Sequence, residues 1–136
     1  WADPEAVWGA DRGPVVRGAT GGRFAVVGHL DLPKKFGRRA ATPTTAAEDA
    51  ARDAIREAGL AIELNTSGLH ADASEAYPAP TLLARAARRG IPLTFGSDAH
   101  RAADVGRDFG RAVGLARAAG YATVLRLSAR AEEAFP

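Results

Sequence analysis

Four short apolar runs recur along the chain: "FAVVG" (Phe24 to Gly28), "LAIEL" (Leu60 to Leu64), "LTF" (Leu93 to Phe95) and "ATVLRL" (Ala122 to Leu127). They begin roughly thirty to thirty-seven residues apart, a separation that suits strand-helix repeats and a parallel sheet. Between the first two, Thr45 and Glu48 form a capping-box pattern before "AAEDAARDAIREAG", and Gly59 supplies a left-handed stop. Ala47, Ala51, Ala54, Ile55 and Ala58 give that helix a small-residue face able to lie close on a sheet. "APTLLARAARRG" predicts a second helix, with Pro80 in its first turn and Gly90 at its end. "DFGRAVGLARAAG" predicts a third, weakened by Gly110 and Gly114 and closed by Gly120. Ahead of the first strand, a helical turn is expected around Glu5 to Trp8 and a loop after it, with Trp1 and Trp8 packed on the domain or a neighbour. The closing "SARAEEAFP" is expected to be helical.

The fold class is therefore α/β, with parallel strands and flanking helices. Three or four such units do not close a barrel, which takes about 250 residues. The chain is either a small open sheet or part of a larger barrel. It contains no methionine and opens at Trp1, which favours the second expectation.

Composition narrows the function classes. At 136 residues the chain is long enough for one domain with a real core, and its apolar and charged fractions are ordinary for a globular protein. A net charge of +2 is too small to mark a nucleic-acid surface. No apolar run approaches the ~20 residues that cross a bilayer, and the start lacks a signal-peptide core. Cysteine is absent, which removes disulfides and thiolate ligands and suits a cytoplasmic enzyme.

Functional groups of parallel α/β folds gather at the carboxyl ends of strands. Here the first strand is followed by "GHLDLPKKFGRR", the second carries Glu63 and Asn65 and continues into Thr66, Ser67 and Gly68, and the third leads to Ser97, Asp98 and His100. Asp98 and His100 are two apart, so in an extended segment they face one point, and His29 arrives at the same rim. Carboxylate plus imidazole is a usual donor set for a divalent metal. A His-x-Asp pair also serves as a hydrogen-bonded loop pair, and "SDAH" as a helix cap, so each segment alone leaves both readings open. Glu63 and Asn65 are expected on opposite faces, one inward and one toward a helix. The basic run Lys34, Lys35, Arg38 and Arg39 is either a solvated loop or a cationic rim for an anionic substrate such as a phosphate. His70, in "SGLHADASEAYP", is expected in solvent or against substrate rather than on metal.

"GRFAVVGHLDLPKKFG", "IELNTSGLH", "EAYPAP", "IPLTFGSDAH" and "VGRDF" together resemble, in order and spacing, the C-terminal part of histidinol-phosphatases of the PHP (polymerase and histidinol phosphatase) family, over roughly Gly22 to Leu127. The resemblance implies a distorted seven-stranded (β/α) barrel, of which residues 1–136 would be the C-terminal half without the N-terminal metal-ligand motifs. It implies up to three divalent metal ions (zinc, manganese or iron) and hydrolysis of L-histidinol phosphate, a small-molecule phosphate ester, in histidine biosynthesis. By motif, His29, Asp98 and His100 match metal ligands, with Asp98 and His100 also the candidate catalytic residues. Lys35, Arg38 and His70 are the candidates for holding substrate. No nucleic-acid or membrane partner is implied. Another phosphoesterase of the superfamily, or a non-catalytic fragment, are the competing readings.

Overall fold

The structure is a computed structural model and describes residues 14–15, 17–37, 45–129 and 131–135. Three parallel strands form its centre: β1 (Val26–Val27), β2 (Ala61–Asn65) and β3 (Leu93–Gly96), paired in the order β1-β2-β3. Helix α1 (Thr45–Glu57) leads from β1 to β2, α2 (Pro80–Arg88) from β2 to β3, and α3 (Phe109–Ala119) follows β3. This is the strand-helix alternation that the apolar runs predict. The predicted helix stops at Gly59, Gly90 and Gly120 all carry positive φ, where a side chain would be strained. The expected turn near Trp8 and the side chains of the Thr45–Glu48 capping box lie outside the described residues.

Strand β2 is central because its sequence can be covered on both sides. Ile62 and Leu64 are fully buried and join Ile55 of α1, Leu83 and Ala86 of α2, Leu93 of β3, and Ala112 and Ala116 of α3 in one core. Of the alanine-rich stripe of α1, Ala51 and Ile55 are buried and Ala54 is half-buried, whereas Ala58, past the end of the helix, is exposed. Across the outside of the helices, Arg89 ties α2 to α1 through Asp53 (3.0 Å) and Asp49 (2.8 Å).

Three expectations are corrected. Residues 17–20 are helical, not loop. The fourth apolar run does not add a parallel strand: β4 (Thr123–Arg126) pairs antiparallel with β5 (Ala131–Ala134), so "SARAEEAFP" contains a strand and not a helix. Cross-strand partners explain the change. Thr123 donates to Glu132 (2.7 Å), Arg126 pairs with Glu133 (2.6 Å), and the Phe135 ring stacks on Phe95 of β3 at 5.7 Å. An isolated helix would forgo that aromatic contact.

The turn after β1 is held by a buried cation. In the 3-10 segment Leu32–Phe36, Lys34 is only 2% exposed, and its Nζ bonds Asp31 Oδ2 (2.8 Å), Glu75 Oε2 (2.8 Å) and the Ala76 carbonyl (2.7 Å). It also lies 5.2 Å from the Tyr77 ring centre. Asp31 in turn accepts the Ala79 N–H at 2.8 Å, ahead of α2. Burial pushes the Asp31 carboxyl above its ordinary value, and the Lys34 charge and hydrogen bond oppose that rise. Lys34 is thus a clasp between two loops, not part of a solvated basic run.

Removing the clasp strands two acids. Lys34→Met in the full chain is expected to lower unfolding free energy by about 3–5 kcal/mol, because Asp31 and Glu75 lose their shared cation; denaturant titration measures it. A second weak point is Gly68, where an added Cβ would overlap the Glu75 carbonyl oxygen and come within 2.7 Å of the Tyr77 ring. Gly68→Ala is expected to cost about 1–3 kcal/mol, read as a lower midpoint at unchanged denaturant slope.

Candidate active site

The carboxyl ends of β1, β2 and β3 deliver polar groups to one rim. Gly28 ends the first run and Gly96 ends β3, one on each side of Glu63 in β2. A Cβ on Gly96 would overlap the Glu63 carboxylate, and one on Gly28 would come within 3.2 Å of it. The two glycines therefore leave the space in which Glu63 lies.

Glu63 and Asn65 share this face, which corrects the expectation that they would divide between two. Residues two apart on an extended strand project the same way. Asn65 Nδ2 donates to Glu63 Oε2 (3.0 Å) and contacts His29 Nε2 (3.0 Å), while Oδ1 accepts the Ser67 N–H (2.9 Å). The backbone donor identifies Oδ1 as the acceptor end of the amide, so the Nδ2 hydrogens must face Glu63 and His29. His29 Nε2 is therefore a lone-pair acceptor, and in the neutral ring the proton is on Nδ1, 4.0 Å from Glu63 Oε2.

His29 Nε2 also lies 3.6 Å from Asp98 Oδ2, across the ends of β1 and β3. Both residues have left-handed backbones, with φ of 43° and 49°. That conformation costs about 1–3 kcal/mol for a residue with a side chain and clusters at functional sites. Asp98 is consequently not extended, so the two-apart argument for Asp98 and His100 does not describe this loop. Instead His100 turns back, and its Nδ1 donates to the Asp98 carbonyl at 2.8 Å. This bond leaves His100 Nε2 as a free lone pair in the neutral ring. Among the described residues, no group of three or more His, Cys, Asp and Glu is gathered in a way that could hold a metal ion. His29 and Asp98 meet; His100 lies beside them in the same loop. Of the two imidazoles, His100 offers an unused Nε2 lone pair in the loop of the Asp98 carboxylate, whereas the His29 Nε2 lone pair accepts from Asn65, a hydrogen bond that a divalent cation held by His29, Asp98 and His100 would replace.

Beside Asp98 and His100 opens a cleft that Thr66, Ser67, His70 and Arg107 also line. His70 reaches it from the 3-10 segment Ser67–His70 and bonds Asp108 Oδ2 at 2.6 Å. This hydrogen bond holds the Asp108 carboxyl below its ordinary value, with the Arg111 and Arg107 charges acting in the same direction. Lys35 is exposed on the turn after β1 and does not line the cleft. Arg38 and Arg39 lie outside the described residues.

Beneath the rim, the Tyr77 ring meets His29 edge-on at 6.0 Å, and its buried hydroxyl has no hydrogen-bond partner among the described residues. Burial first, then the Asp31 and Asp98 charges, raise its pKa, so the hydroxyl stays protonated. Sequence reasoning missed the joint role of Glu63 and Asn65, although their spacing carried it. It also missed Arg107, which no local pattern marks out.

Residues 83–108, which include Asp98, His100 and Arg107, match the PHP-associated family. Over 106 residues the chain is 47% identical to a Deinococcus radiodurans protein named probable histidinol-phosphatase, covering 78% of this chain and 40% of that protein. It is 39% identical over 87 residues to histidinol-phosphatase of Bacillus subtilis, covering 59% of this chain and 32% of that protein. A crystal structure of a Listeria monocytogenes protein assigned as a histidinol phosphatase superposes with a TM-score of 0.60 at 21% identity, covering 74% of this chain and 43% of that one. The likeness to that structure is one of fold. The chain thus spans 40% and 32% of the two named relatives and 43% of the solved structure.

Asn65→Asp in the full chain replaces two N–H donors by a carboxylate facing Glu63. It is expected to cost about 1–3 kcal/mol, measured by denaturation. Adding Glu63→Gln to that variant returns a donor to the pair and should recover part of the loss. A strictly additive double variant would mean that the amide bridge contributes nothing.

Proposed function

We propose, from the premise that this chain is a segment of the PHP family akin to the C-terminal part of histidinol-phosphatases, that it contributes to a metal-dependent phosphomonoesterase acting on L-histidinol phosphate. The observation that carries the proposal is the meeting of His29 and Asp98 at the carboxyl end of the sheet, 3.6 Å apart and both on strained backbone.

In this reading His29, Asp98 and His100 hold a divalent cation (zinc, manganese or iron), with further donors from the rest of the protein. When bound, the cation neutralises phosphoryl oxygens and lowers the pKa of water. The chain's own residues do the positioning. Asn65 keeps the His29 ring turned so that Nε2 faces Asp98. The Asp98 carbonyl keeps the His100 proton on Nδ1. Asp108 orients His70 at the cleft, where His70 is available to the phosphate or to the imidazole end of the substrate. Hydrolysis forms a bond from a water oxygen to phosphorus and breaks the ester P–O bond. L-histidinol and inorganic phosphate are the products, and the alkoxide oxygen leaves with a proton. No helix among the described residues is long and apolar enough to cross a membrane.

The test is phosphate release by the full-length protein from L-histidinol phosphate and from an aryl phosphate. His29→Ala and His100→Ala are each expected to lower kcat/KM by about a hundredfold or more, with circular dichroism unchanged and metal content by elemental analysis reduced. Near-normal turnover in either variant would remove that residue from the site. Equal use of both esters would replace the specific substrate by a broader phosphoesterase reading.

A further inference from the structure

We propose that Arg107 is the fixed cation of the cleft and grips the phosphoryl group of the substrate, a specificity residue for the phosphatase reading above, on which this inference rests. Of the basic run after β1, neither described lysine provides a cation there. Lys34 is enclosed in its clasp with Asp31 and Glu75, and Lys35 does not line the cleft. Arg107 does line it, together with Asp98 and His100.

Its position is built from both sides. Thr66 is 1% exposed at the end of β2, and its hydroxyl donates to the Arg107 carbonyl at 2.7 Å. The preceding N–H, of Gly106, donates to Ser97 Oγ at 3.1 Å, so the loop is fastened to the ends of both β2 and β3. The side chain is held as well. Nη1 donates to Asp104 Oδ1 at 3.0 Å, and Nε lies 3.8 Å from Asp108 Oδ2. Asp104 is itself gripped by Arg101 at 2.9 Å, so it is a shared anchor. Hydrogen bonds from Arg101 and Arg107 hold the Asp104 carboxyl below its ordinary value, which keeps it charged as that anchor.

These contacts engage Nη1 and Nε, the two nitrogens that flank Nη2. Nη2 has no partner among the described residues. A planar guanidinium whose orientation is already fixed loses little side-chain entropy on gripping an anion, and its fork matches two phosphoryl oxygens. His70, oriented by Asp108, faces the same cleft and adds a second donor in its protonated state. The anion therefore meets a guanidinium and an imidazole beside Asp98 and His100, at the point where the ester bond would be broken.

The experiment compares full-length metal-loaded protein with Arg107→Gln and Arg107→Lys, using L-histidinol phosphate turnover and calorimetric binding of inorganic phosphate. Arg107→Gln is expected to raise KM and the phosphate Kd together by about 10- to 100-fold, with kcat changed by less than about threefold. Arg107→Lys should fall between, because charge returns without the fork. A merely structural role would lower the denaturation midpoint and leave KM and phosphate Kd unchanged, and that result overturns the inference. If the parent protein binds phosphate through Arg107 yet hydrolyses no ester, the inference stands and the phosphatase reading fails. If the parent binds no phosphate, both fail.

Discussion

The rim of the sheet depends on one buried amide. Asn65 is fully enclosed, and its side chain uses both ends: two N–H donors face Glu63 and His29, and the oxygen accepts the Ser67 N–H. Its backbone meanwhile pairs with Tyr77 in both directions, at 2.7 and 3.0 Å. A buried amide with all its partners orders everything it touches, and one with a missing partner is costly. Through this residue the position of β2 in the sheet becomes the orientation of the His29 ring. The same residue decides which ring nitrogen offers a lone pair.

The left-handed backbone at His29 and Asp98 persists because the surroundings hold it. On the β1 side, Asp31 and Lys34 lock the turn that follows His29 to the loop entering α2. On the β3 side, Ser97 and Thr66 fasten the loop that runs from Asp98 to Asp108. Both anchors are polar groups placed by buried strands, so strain at the rim is opposed by packing in the core. In the proposed phosphatase such fastening would matter, because small displacements of a catalytic group reduce rates strongly.

Much of this was legible in the residue order. Apolar runs at strand-helix spacing, with Gly59, Gly90 and Gly120 as stops, located the three parallel strands and the three helices. The arrival of His29 and Asp98 at neighbouring strand ends was legible too, since parallel folds send such residues to one rim. Other features were hidden. Lys34 reads as surface in a basic run, and only burial against Asp31, Glu75 and Tyr77 makes it a clasp. The closing residues carry helix-favouring alanines and glutamates, but cross-strand partners and the Phe95–Phe135 stack outweigh a propensity of a few tenths of a kcal/mol per residue.

What the sequence by itself determined, then, is the order of the first three strands and their helices along the chain and the identity of the polar groups at the strand ends. These follow from local periodicity and turn chemistry, which act between residues close in the chain. Tertiary structure alone decided which groups meet. It set His29 beside Asp98, 69 positions further along the chain, turned His100 onto a carbonyl, and drew Arg107 into the cleft through Thr66. Those contacts arise from strand pairing and loop closure between distant segments. No local pattern encodes them, because their energy exists only once the sheet has formed.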